Sequence, residues 1–439
     1  MADALAAHAA KRESLIEALK RGAGTVALAK DTSNLFRDRA AAARRRLDVR
    51  GFNQVLSIRE GTVEAEGMIP YEDLTRECLA RGVMPAVVPQ LKTITLGGAV
   101  AGVGIESSSH RQGLVHDSVL EIDVLLGDGR VVSCTPQNEH SDLFFGFPNS
   151  YGTLGYALRV KAKTIPVKPY VHLRHVPFTD FADLEKLLEA GEADFVDGTA
   201  FSPREKFITL GRFTDRAPYT SDYTFEKIYY RSIAQKPEDY LSVADYLWRW
   251  DTDWFWCSKN VFAQNPLVRR IYGRKRLGSK TYTKIMRWNS RVGLTRKLER
   301  MLGLHSESVI QDVDIPIARA GEFLDFYAKE IGLWPVWLCP IGNAHGGFVL
   351  YPVERGWYVN FGFWDVKRTR EAHPPGHFNR MIEEKVSELG GIKSLYSDCY
   401  FARQDFDRRY GGEAYDALKR KYDPSGAFPR LYEKCVLKA

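Results

Sequence analysis

Thr95 to Gly113 reads TLGGAVAGVGIESSSHRQG, and the organisation of the whole chain turns on what this stretch is for. Gly97, Gly98, Gly102 and Gly104 free the backbone for close approach, and Glu106-Ser107-Ser108-Ser109 follows with a carboxylate and three hydroxyls. The mixture suits a wall of N–H groups and hydroxyls around a diphosphate, because converging backbone N–H groups hold an anion without help from a lysine. A glycine-rich connection between two strands has the same composition. The flanks read as strands: Ala86 to Pro89 and Thr93 to Leu96 are short extended segments, and Asp117 to Leu126 alternates before the turn Gly127-Asp128-Gly129.

Across residues 94–132 the order ITLGGAVAGVGIESSSHRQGLVHDSVLEIDVLLGDGRVV resembles the flavin-binding core of the vanillyl-alcohol oxidase/p-cresol methylhydroxylase superfamily. Within that superfamily it is most similar to the delta(24)-sterol reductases, the Diminuto/seladin group. GIESSSH, SDLFF, GTLGYAL, WPVWLCP, LYSDCY and AFPRLYEK resemble that group's blocks in the same order, so the likeness spans most of the chain. The resemblance implies an α+β protein: a two-part FAD-binding domain of the p-cresol methylhydroxylase type with an α+β substrate cap domain. The expected boundaries are 1–168 for the FAD domain, 169–395 for the cap, and 396–439 for a segment that returns to the FAD domain. It also implies that Thr95, Gly97, Gly98, Gly102, Gly104, Ile105, Glu106, Ser107, Ser108 and Gly113 bind FAD.

Two more stretches join this set. Lys30 to Phe36 is a polar turn after the strand Thr25 to Ala29, where the superfamily has a loop around the diphosphate, and Thr32, Ser33 and Asn34 offer small donors. Some relatives tether the flavin through a histidine in this loop; none stands here, so the FAD is expected to be non-covalent. In Pro148 to Gly155, Gly152, Thr153 and Gly155 let the backbone lie flat against a ring system, and the same block approaches the isoalloxazine in the resembled family. Read from their residues alone, the first is equally an unliganded turn and the second a helix-initiating turn.

The 439 residues, 44% of them hydrophobic, suit two interlocked domains and exclude a disordered chain. Six cysteines stand without a C-x-x-C pair, which suits reduced thiols in a cytosol. There is no apolar run of about eighteen residues and no signal-like start, so a soluble, cytoplasmic chain is expected. The resembled sterol reductases usually carry an N-terminal anchor, and its absence here turns the expected substrate toward a methylene or methyl-branched acyl chain as well as a sterol. Gly22-Ala23-Gly24-Thr25-Val26-Ala27 matches a dinucleotide fingerprint by spacing alone: a helix over residues 2–21 precedes it and a strand follows, the reverse of what that motif needs.

Beyond Pro166 and Pro169 the punctuation changes to long strands and aromatic clusters. Tyr246 to Trp256 sets four indoles and Phe255 among charges, as core or as the lining of a lipid pocket. Residues 267–300 carry twelve Lys or Arg and one acid, Glu299, mixed with Trp288, Ile271 and Leu267. That segment suits an anionic membrane surface, which places the chain peripherally at the inner face of a membrane, or a merely solvated face. No nucleic-acid module accompanies it. No metal site is expected: Pro374-Pro375-Gly376 separates His373 from His377, and His172 and His175 fall on opposite faces of a strand.

Three functions follow from these features. The first is reduction of a carbon–carbon double bond in a lipid by FAD charged from NADPH or NADH; the second is oxidation of an alcohol or lactone; the third is flavin or lipid binding without catalysis. An isolated alkene is electron-rich and needs a proton from an acid as hydride arrives. Tyr400, beside Asp398 on the returning tail, is the expected donor, with Asp398 itself the alternative.

Overall fold

The computed structural model describes residues 2–22, 24–31, 36–37, 44–293, 299, 301–342 and 346–438. Thr32, Ser33 and Asn34 lie outside them. The helix Ala2–Lys20 opens the chain and buries Leu15 and Leu19, while its His8 meets Glu66 at 2.8 Å. Val26–Ala29 and Arg45–Asp48 then pair as a small parallel ribbon.

Two antiparallel sheets carry the rest. The first runs in the order Val55–Arg59, Thr62–Glu66, Tyr156–Pro166, Val119–Leu125, Val131–Cys134, with Val83–Pro85 also on Tyr156–Pro166. The second has eight strands in the order Glu238–Ser242, Tyr170–Pro177, Lys206–Thr214, Phe195–Ala200, Val336–Ile341, Tyr358–Thr369, His305–Pro316, Ile392–Lys393.

Alternation along the strands of this second sheet serves two buried faces at once. Val336, Leu338, Val359 and Phe361 pack on the helices Phe181–Glu189, Ala320–Phe326 and His377–Glu388. Trp337, Cys339 and Trp364 point the other way, into one core with Leu96, Ala99 and Val100 of the glycine stretch. Period-2 side chains make this division unavoidable in a sheet covered on both sides.

Local departures from the sequence reading have local causes. The tail folds as two helices, Arg403–Arg409 and Gly412–Tyr422, because Gly411 and Gly412 take φ of 88° and 41° between them. The extended segment expected to end at Leu96 instead turns into the short helix Leu96–Ala101. Ser141–Gly146 is helical.

The short edge strand Ile392–Lys393 steers the tail. Lys393 is fully buried and meets Glu383 at 2.7 Å, and it also donates to the Asp398 carbonyl. Glu383 in turn accepts the Tyr400 N–H at 3.1 Å. Lys393→Met strands that carboxylate, and the expected loss is about 3–5 kcal/mol in urea unfolding. Lys393→Met/Glu383→Leu is expected to recover most of it.

Candidate functional site

A cavity of about 300 Å³ lies between the glycine helix and the inner face of the eight-stranded sheet. Thr95, Gly97, Gly98, Gly102, Gly104 and Ile105 line one wall, with Gly152 and Gly155 beside them. The glycines do different work. An added Cβ at Gly104 would meet Val115, Pro89 and Ala99 within 3.2 Å, and at Gly155 it would lie 2.7 Å from the Leu125 carbonyl, so both are small for packing. Gly97 lets its helix donate to the Gly67 carbonyl at 2.8 Å. A Cβ at Gly98 would meet only the Thr95 side chain.

Glu106, Ser107, Ser108, Gly113 and Thr153 do not line the cavity, contrary to the reading of the sequence; they brace the wall from behind. Burial turns each toward a protein partner. Arg249 reaches Glu106 at 2.8 Å and Asp197 at 2.7 Å, all three side chains being almost wholly buried. Burial pushes the Glu106 carboxyl up against the pull of that guanidinium. The Ser107 hydroxyl meets the Tyr246 hydroxyl at 2.8 Å, Ser108 donates to the Ala86 carbonyl, and Thr153 donates to the Ser150 carbonyl. Gly113, at φ 71°, leaves room for the Asp117 side chain.

Lys30, Arg37, Arg44 and Lys434 bring four cations to the cavity wall. Buried on it, Gln90 and Arg37 each keep a nitrogen, Nε2 and one Nη, without an acceptor among the described residues. Buried donors rarely stay unpaired, so these two, with the cations and the glycines, fit an anionic dinucleotide such as FAD.

The opposite wall is acidic. Asp312 and Asp314 are successive inward residues of His305–Pro316, facing Gly362 and Asn360 on the neighbouring strand. Asp314 is satisfied: Tyr351 donates at 2.8 Å and Asn360 at 2.6 Å. Asp312 is not. Tyr396 donates to one of its oxygens, the Tyr396 oxygen itself accepting from Trp364 Nε1 at 2.8 Å, while Asp312 Oδ1 has no partner among the described residues. Burial and the neighbouring carboxylate push Asp312 up to about 8, and burial pushes Asp314 up to about 6. At neutral pH the pair is therefore one acid beside one carboxylate.

Asp398 and Tyr400, the expected acids, are not on the cavity wall. The tail reaches it earlier, with Ser394 and Tyr396. Lys393 and Glu383 hold the chain beyond that point against the helix His377–Glu388, where Tyr400 packs on Gly376 and under Arg380 and Asp398 lies 3.6 Å from Lys438. Asp312 and Asp314 were recognisable only as acids on one face of a strand whose neighbours are Val309, Ile310, Val313 and Ile315.

Trp254 and Phe255 also line the cavity, at φ of 44° and 58°. Such backbone is costly for bulky residues and persists only when held from outside. Arg269 clamps Asp253 at 2.6 Å, and Asp251 accepts from Ser279 at 2.6 Å and from the Lys92 N–H at 3.0 Å. Trp250 and Trp256, by contrast, are core. Among the described residues no group of His, Cys, Asp and Glu has the arrangement of a metal site.

The two kinds of glycine are separable by experiment. Gly98→Val is expected to remove bound flavin, read at 450 nm by absorbance (about tenfold loss of occupancy or more), while circular dichroism stays native. Gly104→Val is expected to fail to fold, because its side chain has nowhere to go but into Val115 and Pro89.

The chain is similar to known proteins along most of its length. The family model for an FAD binding domain matches residues 7–135. Delta(24)-sterol reductase of Homo sapiens is 29% identical over 390 residues, covering 85% of this chain and 73% of that protein. The enzyme of the same name from Arabidopsis thaliana is 26% identical over 439 residues, covering 88% and 76%. Cytokinin dehydrogenase 7 of Oryza sativa subsp. japonica is 32% identical over 394 residues, covering 82% and 71%. The chain thus belongs to the vanillyl-alcohol oxidase/p-cresol methylhydroxylase superfamily of FAD-dependent oxidoreductases, and within it resembles the delta(24)-sterol reductases.

Proposed function

We propose that the chain reduces a carbon–carbon double bond of a lipid, a sterol or a methylene- or methyl-branched acyl chain, with NADPH or NADH as electron donor. The observation that carries this reading is a carboxylic acid with an unpartnered oxygen, Asp312, on the wall of the cavity that fits FAD. The names of the similar sterol reductases supply the substrate class. FAD, when bound, supplies hydride to the alkene carbon. Thr95, Gly97, Gly98, Gly102, Gly104, Ile105, Gly152 and Gly155 hold it non-covalently with Gln90 and Arg37, and Thr32, Ser33 and Asn34 complete its binding loop.

Asp312 protonates the alkene. Its carboxyl group gives up the proton while Tyr396, fixed by Trp364, stabilises the carboxylate left behind. Asp314, held by Tyr351 and Asn360, keeps a second acid group close enough to raise its neighbour. Tyr396 and Ser394 take the place on the cavity wall that the sequence reading gave to Tyr400 and Asp398.

The similarity to a cytokinin dehydrogenase favours a second reading, oxidation of a substrate with reoxidation by another acceptor. Anaerobic mixing separates the two. On the first reading NADPH or NADH bleaches the flavin and a sterol or branched alkene restores its colour; recovery with oxygen alone, and none with any alkene, supports the second. Acid precipitation is expected to release the yellow colour into the supernatant, and colour left on the pellet would show a covalent link.

Asp312→Asn is expected to leave reduction by nicotinamide intact and to slow reoxidation by alkene by about 100-fold, the usual scale for general acid catalysis. The sign of the pH effect is fixed by the acid form being the active one. In the parent protein alkene turnover falls as pH rises through about 8, and in Asp312→Asn that fall is lost.

A further inference from the structure

Nine large apolar side chains are exposed among the described residues, and six of them lie between Phe262 and Leu302. Monomeric proteins seldom concentrate exposed apolar area in this way without a partner for it. Phe262 is 75% exposed, Leu267 71%, Ile271 79% and Trp288 56%. From Phe262 to Gly293 the chain has nine cations and no acid.

Helix geometry sorts these residues onto outer faces. On Pro266–Tyr272 the exposed positions after Pro266 are Leu267, Arg270 and Ile271, three and four residues apart, and Arg269 turns inward to Asp253. Among the described positions of Ser279–Val292 they are Lys280, Lys284, Arg287 and Trp288, again one face, and Tyr282 turns inward. The Tyr272 and Tyr282 rings meet at 6.3 Å and join the two helices. Three of the outer cations face acids: Arg270 lies near Glu226, Arg274 pairs with Asp222, and Lys280 pairs with Glu72. Lys275, Arg276 and Lys284 have no acidic partner among the described residues.

We infer that these two helices dock the protein on the surface of an anionic lipid bilayer. Cations interleaved with exposed Phe, Leu, Ile and Trp match a layer of anionic headgroups over acyl chains. A nucleic acid would meet the same cations but has no apolar phase for Leu267 and Ile271. The surface is also joined to the cavity. Ser279, at the start of the second helix, is hydrogen-bonded to Asp251, which holds the Lys92 N–H of the segment whose Pro89, Gln90 and Leu91 line the cavity. Phe262 closes a run that begins at Trp254 and Phe255 on the cavity wall. Docking there brings the cavity wall to the layer in which an insoluble substrate resides, and the inference holds whatever reaction the cavity performs.

Co-sedimentation of the full chain with vesicles of phosphatidylcholine alone, or with 30 mol % phosphatidylglycerol, tests it. The protein is expected to pellet with the anionic vesicles, to stay in solution with the neutral ones, and to be released in about 0.5 M salt, where charges are screened within a few ångströms. Each cation at such a surface is worth about fivefold in partitioning, so Lys275→Ser/Arg276→Ser/Lys284→Ser is expected to weaken binding about 100-fold with an unchanged melting temperature. Ile271→Asn/Trp288→Asn is expected to weaken vesicle binding while leaving retention on heparin as it was. Equal pelleting with both lipids, or with neither, would overturn the inference. So would tighter binding to a single-stranded oligonucleotide than to the vesicles, or vesicle binding untouched by the apolar pair of substitutions.

Discussion

The side chain of Arg249 has no exposed surface, and its guanidinium is shared by Glu106 at the end of the glycine stretch and Asp197 in the centre of the eight-stranded sheet. Trp250 and Trp337 also donate to Asp197, at 3.3 and 3.1 Å. Removing one member of such a cluster leaves another charged group buried without its counterpart, a loss of about 3–5 kcal/mol. The glycine wall and the acidic wall of the cavity come from different sheets, and this cluster fixes one against the other. Its position also explains why Glu106 and Ser107 face away from the cavity: they fasten the wall that their neighbours present.

The acidic wall works against stability. Asp312 is raised from 3.8 to about 8, so the folded protein keeps a proton that the unfolded chain releases across that interval. Folding is favoured by this group at the acid end, and that contribution is lost steadily as pH rises from about 4 toward 8. A core built for stability alone would place an apolar residue there. Gly362 belongs to the same arrangement, since a Cβ on it would lie 2.6 Å from Asp312 Oδ1 and 2.5 Å from the Trp364 ring. The strand gives up a side chain so that the acid, Tyr396 and Trp364 fit together.

What the sequence made legible follows from the range of the interactions involved. The glycine wall was readable because small residues report a local need for close approach, and the strands flanking it because their periodicity is local too. The acid pair was not, because a carboxylate in a strand becomes remarkable only once both faces of its sheet are known to be covered. Tyr400 and Asp398 lie a few residues beyond the cavity wall for the same kind of reason. LYSDCY carries two tyrosines, and only the pairing of Lys393 with Glu383 decides which of them faces the cavity. Ser108, Thr153 and Gly113 were the right residue types in the right stretch, yet a hydroxyl buried one layer back finds a carbonyl as readily as a ligand.

Trp254 and Phe255 link the cavity to the basic helices. Two bulky residues at positive φ are a local conflict between backbone preference and fold, and such conflicts persist where something outside the segment outweighs them. Here the outside forces are Arg269 on Asp253 and Ser279 with Lys92 on Asp251, and Arg269 and Ser279 both belong to the basic helices. The aromatic wall of the cavity is therefore held by the same elements that present Leu267, Ile271 and Trp288 to the outside.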